Sequence, residues 1–223
     1  MVISDAVDRT RGRVTCRVLG PSDHDEAVDL VAEAIMELPA YRWLCGGELT
    51  KEVALWLAEA RCATLESGGV IGAFDDGCLC GVAVLTLPGL PSPEPTSAMV
   101  EYTRRFVREN PGFAERYMEM GRSADEVPVG ADSVDVAFAV VAPDVRKTGV
   151  LSALAILIAE IAFERERAVV LRTTFPGHAD MYRNKWGLVE SATYSHPCGD
   201  TVWVFGADHG QVRNFVASLR QGS

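Results

Sequence analysis

The chain has 223 residues, enough for one large domain with a full core. Acids outnumber bases by 31 to 21, and the net charge of −10 speaks against nucleic acid as a partner. No apolar run approaches the roughly 18 residues of a membrane span, and six scattered cysteines without metal-ligand spacing read as reduced thiols of a cytoplasmic protein, with no metal expected.

Residues 1–12 lack the apolar stretch of a secretion signal and read as a disordered arm. A strand follows over 13–19, with Val14, Cys16 and Val18 alternating to one face. Pro21-Ser22-Asp23 opens a helix with Ser22 as its cap; Val28, Val31, Ile35 and Leu38 recur at helical spacing, and Pro39 ends it. A second helix over 50–66 stops at Gly68-Gly69. Two apolar runs, 70–74 and 78–87, form a hairpin across Asp75-Asp76-Gly77. Four prolines within eight residues then begin an insertion over 88–130, with helical stretches at about 96–109 and 112–120.

After the insertion come a strand at 133–141 and a helix at 149–167 that is apolar almost all round and so must lie against a sheet. A strand at 168–173, a short helix at 179–186 ended by Gly187, and an antiparallel pair at 188–194 and 201–205 follow. Residues 207–223 read as a tail with a short amphipathic segment at 211–219.

The most informative stretch joins the strand to the apolar helix: Val140-Val141-Ala142-Pro143-Asp144-Val145-Arg146-Lys147-Thr148-Gly149-Val150-Leu151. A strand entering a helix through a basic, Gly-bearing loop aims several backbone N–H groups and the positive helix end at one point, a place for phosphate. The stretch resembles the cofactor motif of the GNAT (GCN5-related N-acetyltransferase) family, Gln/Arg-x-x-Gly-x-Gly/Ala. Here it reads Arg146-x-x-Gly149-x-Leu151, with Leu151 where Gly or Ala is usual, so its backbone is left to meet phosphate while its side chain must point away.

The resemblance extends over 13–206, because the order β-α-α-β-β-(insert)-β-α-β-α-β-β is that of the GNAT fold. It implies an α/β (α+β) domain, a mixed twisted central sheet flanked by helices, with a helical insert before the cofactor-binding strand. It also implies acetyl-CoA as cosubstrate, its pyrophosphate on Arg146, Lys147, Thr148, Gly149, Val150 and Leu151, and its pantetheine arm along the strand that ends at Val141. The layout looks most like small-molecule and antibiotic N-acetyltransferases of the puromycin type.

Acetyl transfer to an amine needs a path for the amine proton, a donor to the carbonyl oxygen and an acid for the leaving thiolate. By resemblance, Asp135 is the carboxylate base, eleven residues before Arg146; simple alternation places it on one strand face with Ala137, Ala139 and Val141. The backbone N–H of Val141 or a neighbour is the oxygen donor. Tyr182 is the acid, although Gly187 follows it by five residues where the family pattern Tyr-x-x-x-Gly has four. A one-residue shift rotates a helical side chain by about 100°, so Tyr182 serves only if the helix end absorbs the extra residue.

Tyr41 and Trp43, after the first helix, and His178, ahead of Tyr182, are candidates for lining the acceptor site. The expected activity is direct acetylation of a small-molecule amine. Alternatives are another chemistry on the same fold, using a carrier-bound acyl group or no CoA, and a non-catalytic binding or dimer module. Closing strands of this fold often pair between subunits, which is compatible with a homodimer.

Overall fold

A computed structural model describes residues 14–90, 93–125, 127 and 132–221, with 218–221 described by their backbone alone. The expected arm at 1–12 and parts of the 88–130 insertion lie outside the described residues. Seven strands form one sheet: β1 (Val14–Val18), β2 (Val70–Asp75), β3 (Cys78–Thr86), β4 (Ser133–Val141), β5 (Ala168–Thr173), β6 (Val189–Ser195) and β7 (Thr201–Ala207). Their order is β1-β2-β3-β4-β5-β7-β6, and every pairing is antiparallel except β4 with β5. Among the described residues no helix is long and apolar enough to cross a membrane.

The β2–β3 hairpin forms as expected, with Asp76 and Gly77 both at positive φ (49° and 82°) between the paired Asp75 and Cys78. That pair of angles suits the right-handed twist of the flanking strands.

The parallel seam decides the architecture. β4 and β5 pair only from Ser133 to Val136 and from Ala168 to Leu171. β4 then runs on to Val141 while β5 stays with β7, so the sheet opens between them. The N–H of Ala142 donates to Cys80 O on β3 at 2.9 Å. Backbone groups alternate sides along a strand, so Ala139 and Val141 turn their N–H groups from β3 into the opening.

β4 also carries a bulge: Val136 pairs with Leu85 and Phe138 with Val84, leaving Ala137 as an extra residue. One added residue reverses the faces beyond it. Phe138 and Val140 therefore pack toward the first helices, whereas Val136 and Val141 pack toward the opposite face. The expected alignment of Asp135 with Ala137, Ala139 and Val141 does not hold; Asp135, opposite Thr86, shares its face with Phe138 and Val140.

Helices α1 (His24–Glu37), α2 (Pro39–Leu44) and α3 (Lys51–Cys62) cover one face. A 3-10 turn at Pro21–Asp23 precedes α1, and Asp23 rather than Ser22 ties its entry: Gly20 N–H donates to the Asp23 carboxylate at 2.8 Å, and Arg17 donates to both its oxygens at 2.7 Å. The Arg17 bonds hold the Asp23 carboxyl below its usual range. Pro39 ends α1 and is also the first residue of α2, a helix not foreseen. Thr50 caps α3, accepting from Val53 N–H at 3.3 Å. The insertion folds into α4 (Ser97–Glu109) and α5 (Phe113–Asp125), and Phe106 and Phe113 pack around Trp56 of α3.

On the other face α6 (Val150–Glu164) packs against β1 to β5, with Leu154 and Ala162 fully buried. Its apolar circumference is used twice, because α8 (His209–Gln221) lies on it and sends Val212 and Val216 into the core. The segment read as a tail is thus a packed helix. α7 (Pro176–Asn184) follows β5, opened by Pro176 at its first position.

Candidate active site

The loop between β4 and α6 is a 3-10 turn at Pro143–Val145, then Arg146 in extended conformation, Lys147 at φ 70° and Gly149 at φ 105° as the cap of α6. Arg146 N–H and Thr148 N–H fold back on the carbonyls of Pro143 and Val145 at 3.4 and 3.3 Å. The N–H groups of Lys147, Gly149, Val150, Leu151 and Ser152 find no acceptor among the described residues. The last three are the orphan donors of the first helical turn, where the α6 dipole is positive. A Cβ on Gly149 would meet nothing within 4 Å, so the glycine answers to backbone conformation and faces open space. These free donors around an open, left-handed cap fit a diphosphate.

The loop's side chains are otherwise engaged. Arg146 donates to Glu37 at 2.7 Å and to Val141 O at 3.2 Å, pinning the loop to the end of α1. Thr148 Oγ1 donates to Val145 O at 2.7 Å. Val150 is buried against Gly81, and Lys147 is exposed.

A cavity of about 380 Å³ passes through the sheet where β4 and β5 part. Its wall on the α6 face includes Leu151, Ala155 and Ile158, and on the α2–α3 face Leu38, Tyr41 and Arg61; Ala137 and Ala139 line it between them. The Leu151 side chain, expected to turn away from phosphate, borders this passage without closing it.

Tyr182 stands on the passage wall, 7% exposed, against Phe205 and Trp186. Burial pushes its phenol up to about 12, and the hydroxyl makes no hydrogen bond to the described residues. The extra residue before Gly187 is absorbed at the end of α7. Lys185 N–H and Trp186 N–H both reach Met181 O, at 2.9 and 3.1 Å, and Leu188 N–H reaches back six positions to Tyr182 O at 3.0 Å. The last two span five and six positions where a helical bond spans four, a wide turn closed by Gly187 at φ 65°.

Asp135 stands differently from its expected place. Arg172 Nη1 donates to both its carboxylate oxygens, at 2.9 and 3.0 Å, and the carboxylate does not border the passage. It is the partner of Arg172 and not a free acceptor facing an amine. Tyr41 and His178 do line the passage; Trp43 stands behind it, its ring edge-on to His196 at 5.7 Å. Burial holds the His178 imidazole below its ordinary pKa.

Sequence reasoning missed Arg61, Arg172, Tyr194 and His196, all on the passage wall. Arg172 was the most visible, a lone cation directly after the apolar run from Ala168 to Leu171. His196 accepts Cys198 N–H on Nδ1 at 3.1 Å, which places the ring proton of the neutral form on Nε2.

No family model matches the chain, and no curated protein is similar to it in sequence. Solved structures share its fold. A histone acetyltransferase HPA2 and related acetyltransferase from Corynebacterium glutamicum is 20% identical with a TM-score of 0.64, covering 88% of this chain and 97% of its own. Arylalkylamine N-acetyltransferase 2 from Aedes aegypti is 12% identical with a TM-score of 0.63, covering 89% and 100%. A polyamine N-acetyltransferase from Drosophila melanogaster is 14% identical with a TM-score of 0.58, covering 87% and 99%. At these identities the likeness is one of fold, and the fold is the GNAT fold.

Proposed function

We propose that this protein is an acetyl-CoA-dependent N-acyltransferase that acetylates the amine of a small molecule. The observation that carries the reading is the passage through the split sheet, with a free-donor loop near one face and the same passage reaching Leu38, Tyr41 and Arg61 on the other. Solved structures named as agmatine, polyamine and arylalkylamine N-acetyltransferases share this fold, which supports an amine as the acceptor.

When bound, acetyl-CoA supplies an acetyl thioester. The residues fitted to hold it are the N–H groups of Lys147 and of Gly149 to Ser152 at the diphosphate, the open edge of β4 along the pantetheine arm, and Leu151 and Ala155 on the wall. The N–H groups of Ala139 and Val141 face the opening and are placed to donate to the carbonyl oxygen. Tyr182 holds a proton in apolar surroundings that keep it un-ionised, and that proton suits a leaving thiolate. The acceptor amine enters from the α2–α3 face, beside Tyr41, with neutral His178 as polar lining beyond the split.

A comparison of thermal stability with acetyl-CoA, CoA and ATP tests the reading. A ligand at 100 times its dissociation constant stabilises the native state by about 2.7 kcal/mol. A rise in Tm with both CoA species and none with ATP is the expected result; no rise with either CoA species overturns the assignment. Release of free thiol with a panel of amines then tests the transfer itself.

A further inference from the structure

Arg61 brings to the passage a cation that the chemistry above does not use. It lies in the last turn of α3, and its Nε donates to the Tyr41 hydroxyl at 3.0 Å, with the guanidinium 5.8 Å from the Tyr41 ring centroid. Tyr41 is itself fixed, 8% exposed and edge-on to Phe138 at 6.4 Å. The tether sets the plane of the guanidinium. It leaves both terminal nitrogens without a hydrogen bond or ion pair among the described residues.

The other charged groups on the wall are Arg172 and Asp200. Arg172 is matched by Asp135, and Asp200 accepts the Cys198 thiol at 3.5 Å. The same wall carries the apolar residues Leu38, Pro39, Met120 and Phe138, the last in contact with the Tyr41 ring that Arg61 is tethered to. A half-buried guanidinium without a counter-charge in such surroundings is costly, and an incoming anion offsets that cost. A planar fork with two free N–H groups fits a carboxylate in particular.

We propose that Arg61 binds a carboxylate of the acceptor, so that the substrate is an amine carrying a carboxylate on an apolar body. The inference rests on the reading that the acceptor enters on the α2–α3 face. It goes further by assigning the charge of the part that does not react.

The experiment measures binding of matched pairs by calorimetry: phenylalanine against phenethylamine, and 6-aminohexanoate against hexylamine. The full chain is used as parent, Arg61→Gln, Arg61→Lys and Tyr41→Phe. The acid of at least one pair should bind the parent at least tenfold more tightly than its amine. Arg61→Gln should abolish that difference, Arg61→Lys should restore part of it, and Tyr41→Phe, which removes only the tether, should reduce it. Far-UV circular dichroism and a cooperative thermal transition without ligand check that each variant is folded, and the thermal shift with acetyl-CoA is read separately.

Acids that bind no better than amines, or a preference that survives Arg61→Gln, overturn the proposal. An Arg61-dependent preference in a protein that ignores acetyl-CoA keeps the carboxylate site and sinks the transferase reading. A clear acetyl-CoA shift without that preference does the reverse.

Discussion

Arg172 Nη1 lies 2.9 and 3.0 Å from the two carboxylate oxygens of Asp135, bridging the last pairs of the parallel seam just where β4 and β5 part. The side chains are 24% and 21% exposed, so water screens the pair only in part. Asp135→Asn should destabilise the fold by about 1–3 kcal/mol, the size of a charged partner lost from a partly buried pair. A double-mutant cycle with Arg172→Gln in urea should show positive coupling. Because Arg172 occupies both oxygens, Asp135→Asn should also leave the shape of the kcat/KM pH profile unchanged. Loss of the acid limb in that variant would return Asp135 to the role of base.

Tyr182→Phe removes a hydroxyl that bonds to no described residue, so the fold and acetyl-CoA affinity should be kept. If the phenol is the acid, kcat falls on the order of 10²- to 10⁴-fold. Its pKa is raised to about 12, so the native state favours the protonated phenol. The associated stability is fully present below the unfolded value near 10 and is lost as pH rises from about 10 toward 12. An unimpaired kcat in the variant assigns the proton to water.

Gly149→Val tests the loop. At φ 105° side-chain atoms of any kind strain the backbone, by about 1–3 kcal/mol, although the first of them, Cβ, meets no protein atom within 4 Å. They project into the space assigned to diphosphate, so acetyl-CoA affinity should fall well beyond what the stability change explains. Arg146→Ala, which breaks the exposed pair with Glu37, should cost the fold only about 0–1 kcal/mol. Unchanged acetyl-CoA affinity in Gly149→Val places the phosphate elsewhere.

Burial holds His178 below its ordinary pKa; it does the same to His196, against the opposing pull of Asp200 and Glu119. A depressed imidazole contributes stability that is present above the unfolded pKa, near 6.5, and lost as pH falls through the folded value. The parent should therefore have a lower urea midpoint at pH 5.5 than at pH 7.5, and His178→Gln should narrow that gap. His24, raised mainly by its bond to Asp25, acts in the opposite sense but equally in parent and variant. An identical gap in both proteins excludes His178 as a source of the acid sensitivity.

The elements that read well from sequence are those whose signals are local. Asp76-Gly77 dictates its hairpin, and the glycine at 149 marks the start of α6. α2 stayed hidden because Pro39, read as a terminator, is equally suited to open a helix. The bulge at Ala137 has no local signature; it appears only in the register with Leu85 and Val84, and it moved Asp135 to the other face from the small residues beyond it. Arg61 looked like any cation near a helix end, since the Tyr41 hydroxyl that orients it lies 20 residues away. The extra residue before Gly187 was visible by counting, but whether the helix would rotate or widen depended on where Met181 and Tyr182 could place their carbonyls.

The four-pair seam between β4 and β5 leaves the sheet as two ladders, β1 to β4 and β5 to β7, with α6 laid against strands of both. An extended ligand lying in the gap along β4 would act as a borrowed strand. Amides of Ala139 and Val141 should then exchange with deuterium rapidly in the free protein and slowly when the gap is filled, and the two ladders should approach a common rate of opening. In that sense such a ligand would finish the protein's sheet.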